Sequence, residues 1–172
     1  MTKIMSSKEM EGIIKNVSAC IKKDMGLKNV AIVGIRRRGA VIADRIKKHL
    51  SAGDIPVGYL DISFYRDDFS TVDAHPVVSE TDVLFDTDGK KILLVDDVLF
   101  TGRTIRAALD ALTDLGRPAL VKLFVLIDRG YRELPISADF VGMSVKTKKS
   151  EMVEVKVKEI DGVDEVLVVE RK

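Results

Sequence analysis

The sequence predicts an α/β fold in which helices flank a central, mostly parallel sheet. Uninterrupted apolar runs, typical of strands buried on both faces of a parallel sheet, occupy residues 29–34, 91–95 and 119–127. Amphipathic helical patterns over residues 39–50 and 104–115 alternate with these strands. This order produces parallel strands, since each helix supplies the crossover that parallel pairing requires.

A first helix is predicted over residues 7–25, where apolar side chains recur at helical spacing. Ser7 can cap its amino end, and Gly26 ends it. Cys20 falls in the same pattern beside apolar residues, so we expect a buried thiol. Because it is the only cysteine, an internal disulfide is excluded and a reducing compartment is favoured.

Two parts of the chain depart from the strand–helix alternation. Residues 57–65 predict a strand with alternating faces, but residues 66–90 are polar, rich in Asp and without clear periodicity. A stretch of that length is usually functional or disordered, so we expect a β-hairpin or a mobile flap. Near the end of the chain, residues 152–158 and 166–169 alternate apolar and charged side chains, which indicates half-exposed strands.

The bulk composition narrows the class of protein. A chain of 172 residues can bury a substantial core, and we predict a single domain over residues 1–172. The 28 basic and 27 acidic residues nearly balance, which argues against nucleic-acid binding driven mainly by net charge. No apolar run is long enough for a membrane helix and no signal peptide is visible, so we expect a cytoplasmic protein.

Two adjacent carboxylates, Asp96 and Asp97, directly follow the second buried strand. A turn containing Thr101, Gly102 and Thr104 leads from them into the next helix. Open α/β sheets bind ligands at this edge, and the N–H groups of a helix amino end favour phosphate. Because carboxylates alone would repel phosphate, this pair suits ribose hydroxyls or a cation. An exposed acidic turn is the alternative interpretation.

Three consecutive arginines occupy the corresponding position after the first buried strand: Arg36, Arg37 and Arg38. With Ile35 and Gly39 they form a loop, here called the Arg loop, that opens a helix and can bind an anion strongly. Arginines at one strand end and carboxylates at another suit a substrate with phosphate groups at both ends. A solvated basic turn is the alternative.

Residues 95–104 resemble the phosphoribosyl-pyrophosphate motif of type I phosphoribosyltransferases. The resemblance implies that the two acids bind the ribose 2- and 3-hydroxyls, that the Thr-Gly-x-Thr turn holds the 5-phosphate, and that the Arg loop binds pyrophosphate, often with a non-proline cis peptide. It also implies Mg²⁺ as cofactor, held with help from Asp96 and Asp97 through ribose or water. The expected catalytic residues are Asp96, Asp97 and Arg37. Ribose and 5-phosphate binding is expected from Asp96, Asp97, Val98, Leu99, Phe100, Thr101, Gly102, Arg103 and Thr104.

Residues 34–39, 61–68, 116–118 and 127–142 resemble, more narrowly, the family of bifunctional pyrimidine operon regulators and uracil phosphoribosyltransferases. This implies conversion of uracil and phosphoribosyl pyrophosphate to UMP and pyrophosphate in a homodimer or higher homo-oligomer. It implies a flap near residues 66–90, with Tyr65 and Arg66 as flap residues. It also implies C-terminal strands and hood elements near residues 128–172.

The base and the second activity follow from the same resemblance. Purine-using relatives carry an Asp where this chain has Phe100, whose ring can offer an apolar wall to a pyrimidine. Regulators of this family sense UMP and bind the pyrimidine mRNA leader, but Tyr131 and Ser137 here replace a basic His and Arg. The remaining candidate RNA or nucleotide contacts are Arg129, Arg132 and Lys148. For the lysine cluster of Lys146, Lys148 and Lys149, a solvated basic rim is the alternative interpretation. Two further alternatives are an RNA-binding attenuator with vestigial catalysis and a transferase for another base.

Overall fold

The computed structural model describes residues 1–50, 54–62 and 81–170. A five-stranded parallel sheet has helices on both faces, which confirms the predicted α/β architecture. Among the described residues, no helix is long and apolar enough to cross a membrane. The elements are β1 (Thr2–Ser6), α1 (Ser7–Met25), β2 (Val30–Ile35), α2 (Arg38–Leu50), β3 (Val57–Leu60), β4 (Lys91–Leu99), α3 (Arg103–Leu115), β5 (Leu120–Asp128), β6 (Phe140–Ser144), β7 (Glu151–Lys156), α4 (Lys158–Asp161) and β8 (Glu165–Glu170).

The strand order of the large sheet is β3-β2-β4-β5-β6. The chain leaves β2 through α2 towards β3 at one edge, whereas it leaves β4 through α3 towards β5 on the other side. The two crossovers therefore diverge between the neighbouring strands β2 and β4, which pair in parallel from Val30 with Lys91 to Gly34 with Val95. This switch point is where open α/β sheets bind ligands.

Side chains of β4 alternate between two separate hydrophobic clusters, as the period of a strand requires. Leu93 and Val95 pack with α1 and α2, while Ile92 and Leu94 pack with α3. All four are fully buried. The uninterrupted apolar run therefore reflects helices on both faces of this strand.

A second, antiparallel sheet in the order β1-β8-β7, together with α4, forms a unit here called the hood. Its strands β7 and β8 correspond to the predicted half-exposed strands, whereas β1 and β6 escaped prediction because they are short and only partly apolar. Met5 and Val166 of the hood join the hydrophobic cluster of α1 and α2. Arg45 of α2 adds polar contacts to the hood, 2.5 Å from Glu159 and 2.6 Å from Asp164.

Two predictions for the first helix are wrong. Ser6, rather than Ser7, is the N-cap, because its hydroxyl accepts from the Glu9 N–H while the Glu9 carboxylate accepts from the Ser6 N–H. Cys20 is exposed, not buried. The buried stripe passes through the neighbouring Ile21 instead, and it includes Ser18, whose hydroxyl donates to the Ile14 carbonyl at 2.7 Å.

Predicted element boundaries near the switch point also shift. β4 continues to Leu99 and so includes both acids, since pairing with β5 extends to Leu99 with Asp128. The predicted strand over residues 57–65 is observed as β3, and its end lies partly outside the described residues. Most of the predicted flap lies outside them as well. Asp82, in its described part, forms an antiparallel bridge with Tyr59.

Gly39 brings the amino end of α2 against β4. A Cβ atom at this position would lie 2.6 Å from the Val95 carbonyl oxygen and 3.1 Å from the Asp96 Cα. Both neighbours are backbone, which cannot rotate away. The Arg loop and the acids are therefore held together by backbone packing that only glycine permits.

We expect Gly39→Ala to destabilise the protein by about 1–3 kcal/mol, as overpacking does. That cost corresponds to a melting temperature lower by roughly 3–10 °C. The control is Gly12→Ala in the middle of α1, where nothing lies within 4 Å of the added Cβ. Alanine there should leave the melting temperature unchanged or raise it slightly, because it favours the helix by about 0.5–1 kcal/mol. Equal melting temperatures for the two variants would contradict the close approach.

Candidate active site

Asp96 and Asp97 lie at the end of β4, each oriented by the backbone of the next residue. The Asp97 N–H donates to Asp96 Oδ1 at 2.9 Å, and the Val98 N–H donates to Asp97 Oδ1 at 3.0 Å. Asp96 is only 5% exposed, whereas Asp97 is half-buried. The two neighbours therefore differ, with Asp96 part of the framework and Asp97 more accessible to a ligand.

The donor set at these acids suits a partly hydrated hard cation. No cluster of three or more acidic, His or Cys side chains able to hold a metal occurs in the described part of the chain. Mg²⁺ prefers oxygen ligands and usually binds through one or two carboxylates plus waters and substrate phosphates. The oxygen atoms of Asp96 and Asp97 fit that pattern, provided that substrate completes the coordination.

The turn after the acids leads into α3 through Gly102, which is its N-cap and has φ 95°. Glycine adopts this left-handed conformation without strain and supplies no side-chain acceptor for the first-turn N–H groups. The Arg103 N–H lies 3.3 Å from the Thr101 hydroxyl oxygen. Ile136 packs closely behind Gly102, 3.3 Å from the position of an added Cβ. An anion can therefore bind at this helix amino end.

The Arg loop lies directly beside the acids, with its three arginines in different surroundings. The peptide bond between Arg36 and Arg37 is cis, as the resemblance implies. The Arg36 guanidinium lies 5.7 Å from the centre of the Tyr59 ring, while Arg37 is exposed. Arg38 is bound to Asp161 of the hood, through Nε at 3.2 Å and Nη2 at 2.8 Å. The Arg loop and the two acids therefore lie close together, as predicted, but the ion pair of Arg38 with Asp161 was not predicted.

Tyr59 is a site residue that the sequence did not reveal. Its hydroxyl donates to Asp44 Oδ1 at 2.7 Å. Burial and this hydrogen bond raise the pKa of Tyr59 to about 12. The phenol therefore stays neutral at physiological pH, and its ring stays beside Arg36.

Phe100 of the motif lies under a buried guanidinium group. The Arg129 guanidinium carbon is 4.0 Å from the ring centre of Phe100, and Arg129 is 6% exposed. Arg129 Nη2 also donates to the Glu151 carbonyl at 2.8 Å. The Tyr131 ring meets Phe100 edge-on, with centroids 6.3 Å apart. The expected apolar wall is thus an aromatic ring held by a cation–π contact.

Arg132 connects the segment after β5 to the turn of the motif. Its Nη2 binds Asp128 Oδ2 at 2.6 Å, its Nη1 donates to the Phe100 carbonyl at 2.8 Å, and its Nε donates to the Ile136 carbonyl at 2.9 Å. All three nitrogen atoms of the Arg132 guanidinium group therefore donate hydrogen bonds within the protein. Arg132 thus supports the shape of the turn.

The guanidinium groups of Arg129 and Arg132 are engaged inside the protein, and their role as RNA or nucleotide contacts stays a prediction. Lys148 is exposed. Its backbone N–H donates to Glu151 Oε2 at 2.6 Å, and its carbonyl accepts from the Glu151 N–H at 3.1 Å. Tyr65 and Arg66, the expected flap residues, lie outside the described residues.

The sequence matches the phosphoribosyl transferase domain family over residues 2–160. The fold is similar to a crystal structure of the hypoxanthine phosphoribosyltransferase of Trypanosoma cruzi, with a TM-score of 0.74, 19% identity, and coverage of 100% of this chain and 98% of that one. Fold and site together define a phosphoribosyltransferase.

Two relatives narrow the family. The bifunctional protein PyrR of Caldicellulosiruptor bescii is 48% identical over 169 residues, which are 96% of this chain and 93% of that protein. The bifunctional protein PyrR of Thermus thermophilus is 49% identical over 173 residues, covering 98% of this chain and 96% of that protein. The chain belongs to the bifunctional PyrR family. The predicted membership of the pyrimidine regulator and uracil phosphoribosyltransferase family is thereby confirmed.

We expect Arg132→Gln to destabilise the protein by about 2–4 kcal/mol, since it breaks a partly buried ion pair and leaves carbonyl groups without a donor. The control, Arg106→Gln on α3, removes an arginine whose side chain is 68% exposed and lies 3.5 Å from Asp110. An exposed pair of this kind contributes at most about 1 kcal/mol. Urea unfolding of both variants measures the difference. Similar losses would show that Arg132 is no more than a surface charge.

Proposed function

We propose that this chain transfers the phosphoribosyl group of phosphoribosyl pyrophosphate to uracil, giving UMP and pyrophosphate. The observation that supports it most is the backbone contact at Gly39, which sets the Arg loop directly beside the two acids at the switch point. A sugar held by the acids can then have its 5-phosphate at the amino end of α3 and its pyrophosphate at the Arg loop. Phe100 can line the place of the base.

In the reaction, the bond from ribose C1 to the pyrophosphate oxygen breaks, a bond from C1 to uracil N1 forms, and the proton of N1 is released to water. Asp96 and Asp97 bind the ribose hydroxyls and orient C1 between the leaving group and the base. Arg36 and Arg37 stabilise the negative charge that develops on pyrophosphate, since preoriented cations lower the barrier most where charge appears. Bound Mg²⁺ would neutralise part of the same charge, with Asp96 and Asp97 as its protein ligands through water or ribose.

Uracil is the base that the ring of Phe100 favours. An aromatic side chain cannot protonate or accept from a purine ring nitrogen, but it offers a flat apolar surface to a pyrimidine. The Arg129 guanidinium on its other side keeps that ring in place.

We predict that Asp97→Asn lowers turnover at least tenfold, which corresponds to about 1.4 kcal/mol of transition-state stabilisation. The fold should persist, because Asn keeps the oxygen that accepts from the Val98 N–H. Pyrophosphate release is measured with uracil, guanine, xanthine and orotate, and uracil should be the preferred base. The matched control is Asp110→Asn on α3, whose side chain is 65% exposed. Loss of less than tenfold, or preference for a purine, would contradict the proposal.

We further propose that the protein regulates pyrimidine genes by binding the mRNA leader in response to UMP. Its membership of the bifunctional PyrR family supports this role. Because Arg129 and Arg132 are engaged within the protein, the phosphate contacts would come from the exposed lysines Lys146, Lys148 and Lys149. We also propose a cytoplasmic location, in keeping with the single exposed thiol of Cys20, and a homodimer or higher homo-oligomer as the working form.

For the RNA role, we expect Lys148→Glu to weaken binding of a pyrimidine leader hairpin at least threefold in a gel-shift titration with UMP. Arg106→Glu on α3 changes the charge equally at a residue outside this lysine group, so it should leave the affinity within twofold of the native protein. Absence of any shift with the native protein at low salt would overturn the regulatory proposal while leaving the transferase untouched.

A further inference from the structure

The ion pair between Arg38 and Asp161 connects the Arg loop to the hood across 123 residues of sequence. Arg38 is the first residue of α2, at the amino end where the helix dipole disfavours a cation. Two more arginines precede it directly. An isolated guanidinium group at this place would therefore be unfavourable, and a carboxylate from the hood compensates it.

The contact has the geometry of a strong pair. Both Nε and Nη2 of Arg38 face the two oxygens of Asp161, a fork that arginine forms and lysine cannot. The side chains are 34% and 18% exposed. Asp161 Oδ2 also accepts from the Val157 N–H at 2.9 Å, which fixes the carboxylate at the start of α4.

Arg38 nevertheless remains within electrostatic range of the acidic motif. The hydrogen bond that Arg38 donates to Asp161 is the main cause that raises the pKa of Arg38 above its ordinary value, and the charges of Asp97 and Glu154 add to it. The same bond lowers the pKa of Asp161. Both groups stay charged at neutral pH, so Arg38 is a cation beside the site whose Nε and Nη2 donate to a carboxylate of the chain itself.

We propose that Asp161 is an internal competitor for pyrophosphate: it occupies the Arg38 guanidinium, which weakens the hold of the Arg loop on the anion and so favours its release. This inference rests on the proposed assignment of the Arg loop to pyrophosphate. Asp161 does not touch the substrate; it acts through Arg38 as a positioning residue. The competition keeps one of three neighbouring cations from binding the product, which leaves Arg36 and Arg37 for the reaction.

The test is the dissociation constant of inorganic pyrophosphate, measured by isothermal titration calorimetry at neutral pH and fixed magnesium concentration. Asp161→Asn should lower it at least threefold, because Arg38 becomes available to the anion. Asparagine keeps an oxygen for the Val157 N–H, so α4 should persist. The Ki of pyrophosphate as a product inhibitor should fall by the same factor.

Two controls separate this competition from a general change of charge. Glu159→Gln removes a carboxylate from the same helix, one that binds Arg45 rather than Arg38, and should leave the constant within twofold. In an Arg38→Gln background, Asp161→Asn should also change the dissociation constant of pyrophosphate less than twofold. The guanidinium group for which Asp161 and pyrophosphate compete is then absent.

Unchanged or weaker binding by Asp161→Asn would overturn the inference. An equal gain in the Arg38→Gln background would also overturn it, because the effect would then be charge alone. If the native protein binds no pyrophosphate, the proposed function of the Arg loop fails first, and the inference fails with it.

Discussion

The site depends on one close approach of backbone to backbone. Gly39 sets the start of α2 against the Val95 carbonyl and the Asp96 Cα, at a distance that leaves no room for a Cβ atom. The hydrophobic clusters hold the sheet and its helices, but this contact decides how near the Arg loop comes to the acids. Since the interaction of opposite charges falls with distance, the separation sets how strongly a ligand between them is bound at both ends.

Several arginines around that contact are bound within the protein. Arg38 and Arg45 of α2 are bound to carboxylates of the hood, Arg132 is bound to Asp128, and Arg129 lies on Phe100. Arg37 and Asp97 are the more accessible members of the two loops. In such a site, internal contacts hold most of the named charged side chains in place, and a small number of charged groups can contact the ligand. Groups oriented in advance in this way stabilise the charge that develops in a transition state.

The parts of the molecule that local pattern encodes were predictable. The runs that became β2, β4 and β5 are buried on both faces, and the acids follow one of them directly. The edge of the sheet at which the acids and the Arg loop meet could therefore be located from the sequence. The exposure of Cys20 was mispredicted because its neighbour Ile21 carries the buried stripe, a shift of one residue that periodicity resolves poorly. Contacts between distant residues were beyond sequence reasoning. Nothing local indicates that Arg38 binds Asp161, or that Arg132 donates to the Phe100 carbonyl.

The most direct measurement of the central claim is a crystal structure of the protein soaked with phosphoribosyl pyrophosphate and magnesium. We predict that the ribose hydroxyls lie within hydrogen-bond distance of Asp96 and Asp97, with the 5-phosphate at the amino end of α3 and the pyrophosphate at the Arg loop. A sugar bound elsewhere, or one whose pyrophosphate lies away from residues 36–39, would contradict this account.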